Sequence, residues 1–259
     1  NGVRVTGALV EAPLAQWIDL ISRLHAGGRP PVGASGPEET QPLAYLGTSI
    51  SVQSLQIGGY QWPPVNLVAA PADGGAVEIG VSGTGNQGTV RVAGDGGSVR
   101  GAFEQLTLQA QPEIHDDQAA PADKASAVPP LSPDRLPTLQ LAVKALQIGG
   151  RPFGQLQFAT ERVAGGQKLA TARLEGGIAR VEAEGEWRRQ QGLTSARARF
   201  DLASDDLAGT LAALGFAETV SGRNAHITGD LVWPGADGGF NWADAQGPVG
   251  LSAEHGCLL

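Results

Sequence analysis

The sequence has little of what marks an enzyme, a metalloprotein or a nucleic-acid-binding protein. Its 259 residues include one cysteine, Cys257, which excludes an internal disulfide framework. Lys and Arg number 18 against 26 Asp and Glu, a formal net charge of −8, and nucleic-acid binding needs a basic surface instead. No apolar run approaches the roughly 20 residues that span a bilayer, and no signal peptide is present. We therefore expect no nucleic acid among the partners.

Methionine is absent altogether. The first residues, Val3 to Gly7, already have the pattern of a strand in progress. We therefore expect a piece of a longer chain, with any membrane anchor or targeting signal outside it.

Glycine is abundant, with 38 residues, whereas aromatic residues make up 5%. The glycines lie between short runs in which apolar and polar residues alternate, which is the pattern of half-buried strands joined by tight turns. Sequences such as Asp73-Gly74-Gly75 and Asp95-Gly96-Gly97 supply the positive φ that hairpin turns need. The composition predicts a mainly β protein with many short connections.

An internal repeat organises these strands. The segment 49–59 returns at 140–150 with the sequence Leu-Gln-Ile-Gly-Gly unchanged, at an offset of 148 − 57 = 91 residues. Repeats of this kind stack to bury a face that one unit cannot bury alone. In both copies the apolar alternation slips by one residue, which predicts β-bulges near Ser54 and Ala145.

The fold class predicted from these patterns is an elongated, twisted, antiparallel sheet or groove built from repeated units, with two short helices. Four regions follow: 1–26, the end of a preceding unit with a helix from Pro13 to Leu24; 45–111, a β unit; 112–135, a Pro/Ala-rich disordered linker; and 136–259, a second β unit. Ser204 is predicted to cap a helix at 205–214. The strands of the first full unit are predicted near 47–57, 64–70, 76–83, 87–94, 97–101 and 104–111.

Candidate chemical motifs have simpler structural explanations. Residues 83–88 satisfy G-x-G-x-x-G, but another strand follows where a dinucleotide fold needs a helix, so we predict a hairpin turn. Asp205 and Asp206 suit the positive end of a helix dipole. The four histidines are far apart in sequence, and only His115-Asp116-Asp117 leaves a weak metal site open. We predict no catalytic residue, no metal site, no cofactor and no enzymatic activity.

The second unit resembles a known family. Its matching stretches read Leu-Pro-x-Leu-x-Leu-x-Val at 136–143, Gly-Gly-Arg-x-Phe-Gly-x-Leu at 149–156, Gly-Glu-Trp at 185–187, Phe-Asp-Leu-x-Ser-Asp-Asp-Leu at 200–207, and Gly-x-Leu-x-Trp-Pro-Gly at 229–235. Together with Gly247-x-Val249-x-Leu251, their order and spacing resemble the YhdP-type branch of the AsmA-like superfamily. The similarity covers 136–259 well and 1–111 more weakly, through the repeat.

This resemblance implies a function and a location. Members are envelope proteins of Gram-negative bacteria, anchored in the inner membrane, whose long periplasmic β-rich body is implicated in moving phospholipid between the two membranes. It implies phospholipid acyl chains as ligand, with inner- and outer-membrane proteins as partners at the ends of the full-length chain. The alternative is a non-catalytic envelope scaffold or outer-membrane assembly factor.

Acyl chains are held by apolar surface, and one face of a sheet can supply it without a specific pocket. Alternation identifies the residues expected to line such a groove: Leu139, Leu141, Val143, Leu156, Phe158, Leu169, Ala198, Phe200 and Leu202. The opposite face is expected to meet water through Gln140, Lys144, Gln155, Gln157, Arg197 and Arg199. A sheet packed on itself or on its helices, with no ligand, gives the same alternation.

Overall fold

The computed structural model describes residues 2–13, 44–57, 60–110, 133–134, 136–214, 216, 220–235 and 244–258. In these residues a single sheet of 14 strands is accompanied by one α-helix, α1 (Leu207–Ala213). The first seven strands are β1 (Gly2–Pro13), β2 (Ala44–Ile57), β3 (Tyr60–Trp62), β4 (Val65–Pro71), β5 (Val77–Gly83), β6 (Asn86–Val92) and β7 (Ser98–Ala110). The next seven are β8 (Thr138–Ile148), β9 (Arg151–Val163), β10 (Gly166–Gly176), β11 (Ala179–Gln190), β12 (Leu193–Ser204), β13 (Val220–Pro234) and β14 (Val249–Leu258).

The strands follow one another across the sheet in chain order, except that β3 stands off this path. Neighbours pair antiparallel, with two exceptions: β1 with β2, and β7 with β8. These two parallel pairs are equivalent, because Leu9 faces Val52 in the first and Phe103 faces Val143 in the second, and Val52 and Val143 are 91 residues apart. The parallel pairs therefore divide the sheet into a first unit, β2 to β7, and a second unit, β8 to β14. The mainly β prediction is confirmed, although the sheet is mixed rather than purely antiparallel.

Each unit has one apolar and one polar face, because cross-strand partners point to the same side. The apolar face of the first unit carries Ile50, Val52, Leu55, Trp62, Val65, Val81, Phe103 and Leu106, all of them buried. In the second unit this face carries Leu141, Val143, Leu156, Phe158, Leu169, Leu174, Ala183, Ala198, Phe200, Leu202, Ile227 and Leu231.

One of the two predicted bulges is confirmed. Val143 pairs with Leu156 and Leu146 with Gly154, so β8 carries one extra residue at Lys144–Ala145. Near Ser54 the prediction is wrong. The pairings on either side of it, Val52 with Val65 and Leu55 with Trp62, stay in step. Here β2 changes partner from β4 to β3, and this change accommodates the slip in the apolar pattern.

A bulge that the sequence did not predict lies on β7. Gln87 faces Gln105 and Gly88 faces Phe103, which leaves Glu104 as an extra residue. Two strands were predicted here, at 97–101 and 104–111, where the structure has one strand. The bulge keeps β7 in step with the bulge of β8, since Phe103 faces Val143 and Leu106 faces Leu146.

The first unit closes on itself at one end. Strand β3 pairs with the end of β2 through Leu55 and Trp62, and with the end of β7 through Tyr60 and Ala110. The path β2–β4–β5–β6–β7 therefore returns to β2 through β3. Inside this ring the rings of Trp62 and Phe103 meet edge to face, with their centroids 5.9 Å apart.

Helix α1 lies where the second predicted helix was expected, but its cap differs. Asp206, not Ser204, is the N-cap, and its side chain accepts a hydrogen bond from the backbone N–H of Gly209 at 3.0 Å. Ser204 instead donates to the carbonyl of Ile178 and shares a hydrogen bond with the Thr210 hydroxyl. Pro13 is the last residue of β1, and residues 14–24 of the other predicted helix lie outside the described residues. Residues 112–132 of the predicted linker also lie outside the described residues.

Candidate functional site

An accessible part of the apolar face lies in the middle of the second unit. Eight apolar side chains there are half-buried, as are Leu67, Ile79 and Val90 on the apolar face of the first unit. We call this surface the open floor; it consists of Leu141, Leu156, Phe158, Leu169, Ala172, Ala183, Ala198 and Phe200. Leu141 faces Phe158 and Phe158 faces Ala172 across β8 to β10, and Ala183 faces Phe200 across β11 and β12. The result is a continuous apolar surface that crosses five strands.

The centre of the open floor is low because its side chains are small. Ala172 and Ala183 lie between the rings of Phe158 and Phe200, and Ala198 is the neighbour of Phe200 on the same face of β12. The ring of Phe200 lies over Gly229 on the next strand, where a Cβ atom would collide with ring atoms Cε1 and Cζ. The absence of a side chain at this position lets an aromatic ring lie flat on the sheet. The floor therefore presents its apolar surface without a bulky ring standing over it.

Packed side chains border the open floor along both ends of the strands. At the ends beside α1, which we call the helix margin, Phe153, Ala179 and Ala213 belong to one buried cluster, and Leu207 of the helix is fully buried. At the other ends, the distal margin, Ala196, Leu231 and Trp233 form a second buried cluster with Trp187 packed against it. The floor is thus a strip between two packed margins.

The structure places all nine residues predicted to line a groove on the apolar face. Six of them belong to the open floor. Leu139 is more exposed, whereas Val143 and Leu202 are buried, 3% and 7% exposed, and so have little surface left for a ligand. That the nine line a lipid groove stays a prediction.

Sequence reasoning missed two of the small residues of the floor. Ala172 was missed because the register shifts on β10 between Leu169 and Thr171, so alternation counted from Leu169 selects the wrong residues. Ala183 does alternate with Val181 on β11, and extending the count along that strand would have found it.

The polar face is covered by cross-strand ion pairs. Arg197 binds Asp230 through two hydrogen bonds of 2.7 and 2.8 Å, and Arg199 reaches the same carboxylate at 3.0 Å. These hydrogen bonds, that of Arg197 first, hold the pKa of Asp230 well below its usual range. Lys144 pairs with Glu104 at 2.7 Å, across the junction of the two units. Gln140, Gln155 and Gln157 are exposed on the same side as Arg197 and Arg199.

A shallow recess of about 670 Å³ lies beside these pairs. Its lining is mixed: Arg173, Glu182, Glu184, Arg199 and Asp201 are charged, whereas Ala172, Ala183 and Phe200 belong to the open floor. The continuous apolar surface of the open floor suits an apolar ligand better than this mixed recess.

The other motifs behave as structural features. Strand β5 ends at Gly83 and β6 begins at Asn86, so the predicted hairpin turn at 83–88 is confirmed. His226 pairs with Asp201 at 2.8 Å on the exposed face. Among the described residues, no group of three or more His, Cys, Asp or Glu side chains could hold a metal ion.

Comparison with known proteins places the chain in a family. Within the described ranges, no helix has the length and apolarity needed to cross a membrane. Searches of curated proteins and of solved structures found no match. The family model described as YhdP protein matches residues 1–259, which is the whole chain. The chain therefore belongs to the YhdP family.

Proposed function

We propose that this chain is a section of a periplasmic bridge that carries phospholipid between the inner and outer membranes. The acyl chains would lie on the open floor, with their headgroups toward water. The observation that carries the proposal is a continuous, half-exposed apolar strip across five neighbouring strands. A strip of this kind suits a flexible hydrocarbon chain, which needs apolar contact but no directional partner.

The expected interaction is non-specific and additive. Removing apolar surface from water contributes roughly 25 cal/mol per Å², so each methylene group placed on the floor adds a small and similar gain. No single contact dominates, and a tail can therefore move along the strip with small changes in free energy. Membership of the YhdP family and the resemblance to periplasmic lipid-transfer proteins support this function over a soluble-ligand site.

Photocrosslinking tests the proposal directly. A photoreactive amino acid is placed at Leu141 or Phe200 on the open floor, and in matched variants at Gln140 or Arg199, the neighbouring positions on the polar face. We expect phospholipid adducts from the floor positions only, measured by mass spectrometry after irradiation in Gram-negative cells. Adducts to protein alone at Leu141 and Phe200 would contradict lipid carriage and would favour the scaffold alternative.

The scaffold or assembly-factor alternative has one observation in its favour. Part of the apolar face of the first unit is filled by its own side chains, Trp62 and Phe103 among them, as a dry structural sheet requires. Native mass spectrometry of the purified chain separates the two functions. Copurified phospholipid, lost when Ala183 is changed to Trp, supports carriage, whereas a chain without lipid in both forms supports the scaffold.

A further inference from the structure

A short stretch of chain lies across the ends of two strands at the distal margin. We call it the strap; it consists of the described residues Pro133, Asp134, Leu136 and Pro137, which lead into β8. Arg162 on β9 donates one hydrogen bond to the backbone carbonyl of Asp134 at 3.0 Å and another to that of Leu136 at 2.9 Å. Gln167 on β10 donates a third, from Nε2 to the Leu136 carbonyl at 2.9 Å. Two side chains thus fix the strap by its backbone.

The strap lies on the apolar side of the sheet. Gln167 pairs with Arg162 on one side and with Trp187 on the other. Because paired residues share a face, all three point to the side of Leu169 and Phe158. Gln167 is only 6% exposed and Pro133 is fully buried, which means that strap and margin pack closely together. A surface connection that only passed by would leave both residues exposed.

The contact between Gln167 and the strap carries a free-energy cost. This cost indicates that the strap occupies a specific position. The Oε1 atom of Gln167 is buried without a hydrogen-bond partner among the described residues, and an unpaired buried polar atom is unfavourable. The side-chain amide of Gln167 is nevertheless buried, and its Nε2 atom donates to the Leu136 carbonyl of the strap. The strap therefore occupies a defined place at the distal margin rather than folding away into water.

We propose that the strap is a retaining bar at the distal margin of the open floor and that Arg162 is its latch. From Arg162 the apolar face of β9 continues through Thr160 to Phe158, and from Gln167 that of β10 continues to Leu169. The strap thus borders the floor on the side opposite α1. It limits the escape of an acyl chain sideways over this margin and leaves the direction across the strands open. This inference rests on the proposed function.

The test combines the position of the strap with lipid retention. Arg162→Ala removes two of the three hydrogen bonds, and Gln167→Leu removes the third while it keeps the side-chain volume. In Arg162→Ala we expect hydrogen exchange of the Thr138 and Leu139 amides, the hydrogen-bonded N–H groups that directly follow the strap, to rise by about tenfold, because strong hydrogen bonds from a charged donor no longer hold the strap. We also expect faster transfer of fluorescent phosphatidylethanolamine from the loaded chain to acceptor vesicles of phosphatidylethanolamine and phosphatidylglycerol. Gln167→Leu should change both quantities in the same direction, by less.

Arg173→Ala is the matched control, since it removes an exposed arginine of β10 from the polar face, where it pairs with Glu182. It should change neither exchange nor transfer. Unchanged exchange in Arg162→Ala would show that Arg162 is not the latch, and faster exchange with unchanged transfer would show that the strap retains nothing. A wild-type chain that carries no phospholipid would refute the proposed function itself, and the retaining role with it. Thermal unfolding of each variant confirms that the sheet has stayed folded.

Discussion

The two units begin with the same alternating segment and then treat their apolar faces differently. In the first unit a ring of strands surrounds the face and Trp62 and Phe103 fill one part of it, while Leu67, Ile79 and Val90 stay half-buried. In the second the corresponding face stays half-exposed across five strands. One repeated sequence thus supports a ring of strands in one place and an open strip of strands in the next.

The difference begins at one position of the repeat. Pro63 in the first unit corresponds to Gly154 in the second, 91 residues later. With Pro64 it interrupts the strand, so that β3 separates from β4 and pairs with β7. Gly154 adopts φ +82°, and a Cβ there would collide with the backbone of Glu175 and Gly176, so glycine lets β9 continue unbroken. Among its described residues the second unit then has no short strand to close it, and α1 covers its helix margin instead.

The largest expected effect distinguishes the two phenylalanines that lie over glycine. Phe103 is 4% exposed within the ring of the first unit, whereas Phe200 is half-exposed. We expect Phe103→Ala to lower the free energy of unfolding by about 3–5 kcal/mol. Phe200→Ala should cost about 1–2 kcal/mol, because less apolar area is lost. Urea unfolding of both variants measures the difference, and equal costs would mean that the two faces are equally packed.

The next effect concerns the glycines beneath these rings. A Cβ at Gly88 would meet the Phe103 ring and the carbonyl of Ala102, both within 2.6 Å. The buried ring cannot move away, so Gly88→Ala should cost about 1–3 kcal/mol, as overpacking does. Gly229→Ala should cost less, because Phe200 can turn toward the open side of the face.

For phospholipid capture, we expect the opposite order of effects in the two glycine variants. A raised Phe200 ring would obstruct the floor, so Gly229→Ala should reduce phospholipid capture in the photocrosslinking assay, whereas Gly88→Ala should leave capture unchanged. Loss of capture in both variants would point to a general loss of structure. Unchanged capture in both variants would mean that the height of the Phe200 ring does not limit access of phospholipid to the floor.

Alternation along the chain was enough to predict the strands and to select nine residues that share one face. It also predicted the bulge near Ala145. It could not predict that β3 pairs with β7, because a local pattern carries no information about a partner some 50 residues away, as Tyr60 is from Ala110. It also gave no reason to place Arg162 and Gln167 beside an apolar floor. Polar residues at strand ends suggest solvent, and only the carbonyl groups of the strap explain their position.

A smaller effect is expected at α1, which covers the helix margin of the second unit. Asp206 caps α1 and also pairs with Arg151 at the start of β9. Asp206→Ala should destabilise the chain by about 0.5–2 kcal/mol, the usual cost of losing an N-cap, and should increase hydrogen exchange around Phe153. The neighbouring Asp205→Ala is the control, since Asp205 is exposed and is not the cap. Equal effects of the two variants would show that helix-dipole charge, rather than the cap hydrogen bond, holds α1 in place.

The smallest effect is a pH dependence confined to the second unit. Its polar face depends on Asp230, whose pKa is held low by Arg197 and Arg199, whereas in the first unit Ser51 and Asn66 make an uncharged hydrogen bond. A carboxyl group with a lowered folded-state pKa stabilises the fold fully above its unfolded pKa of about 3.9. That stabilisation is lost as the pH falls through the folded pKa. Asp230→Asn should therefore lower the melting temperature at pH 7, and the gap to the wild type should narrow below about pH 4. Ser51→Ala should show a gap that does not change with pH, and a constant gap for Asp230→Asn as well would mean that its two arginine contacts contribute nothing through charge.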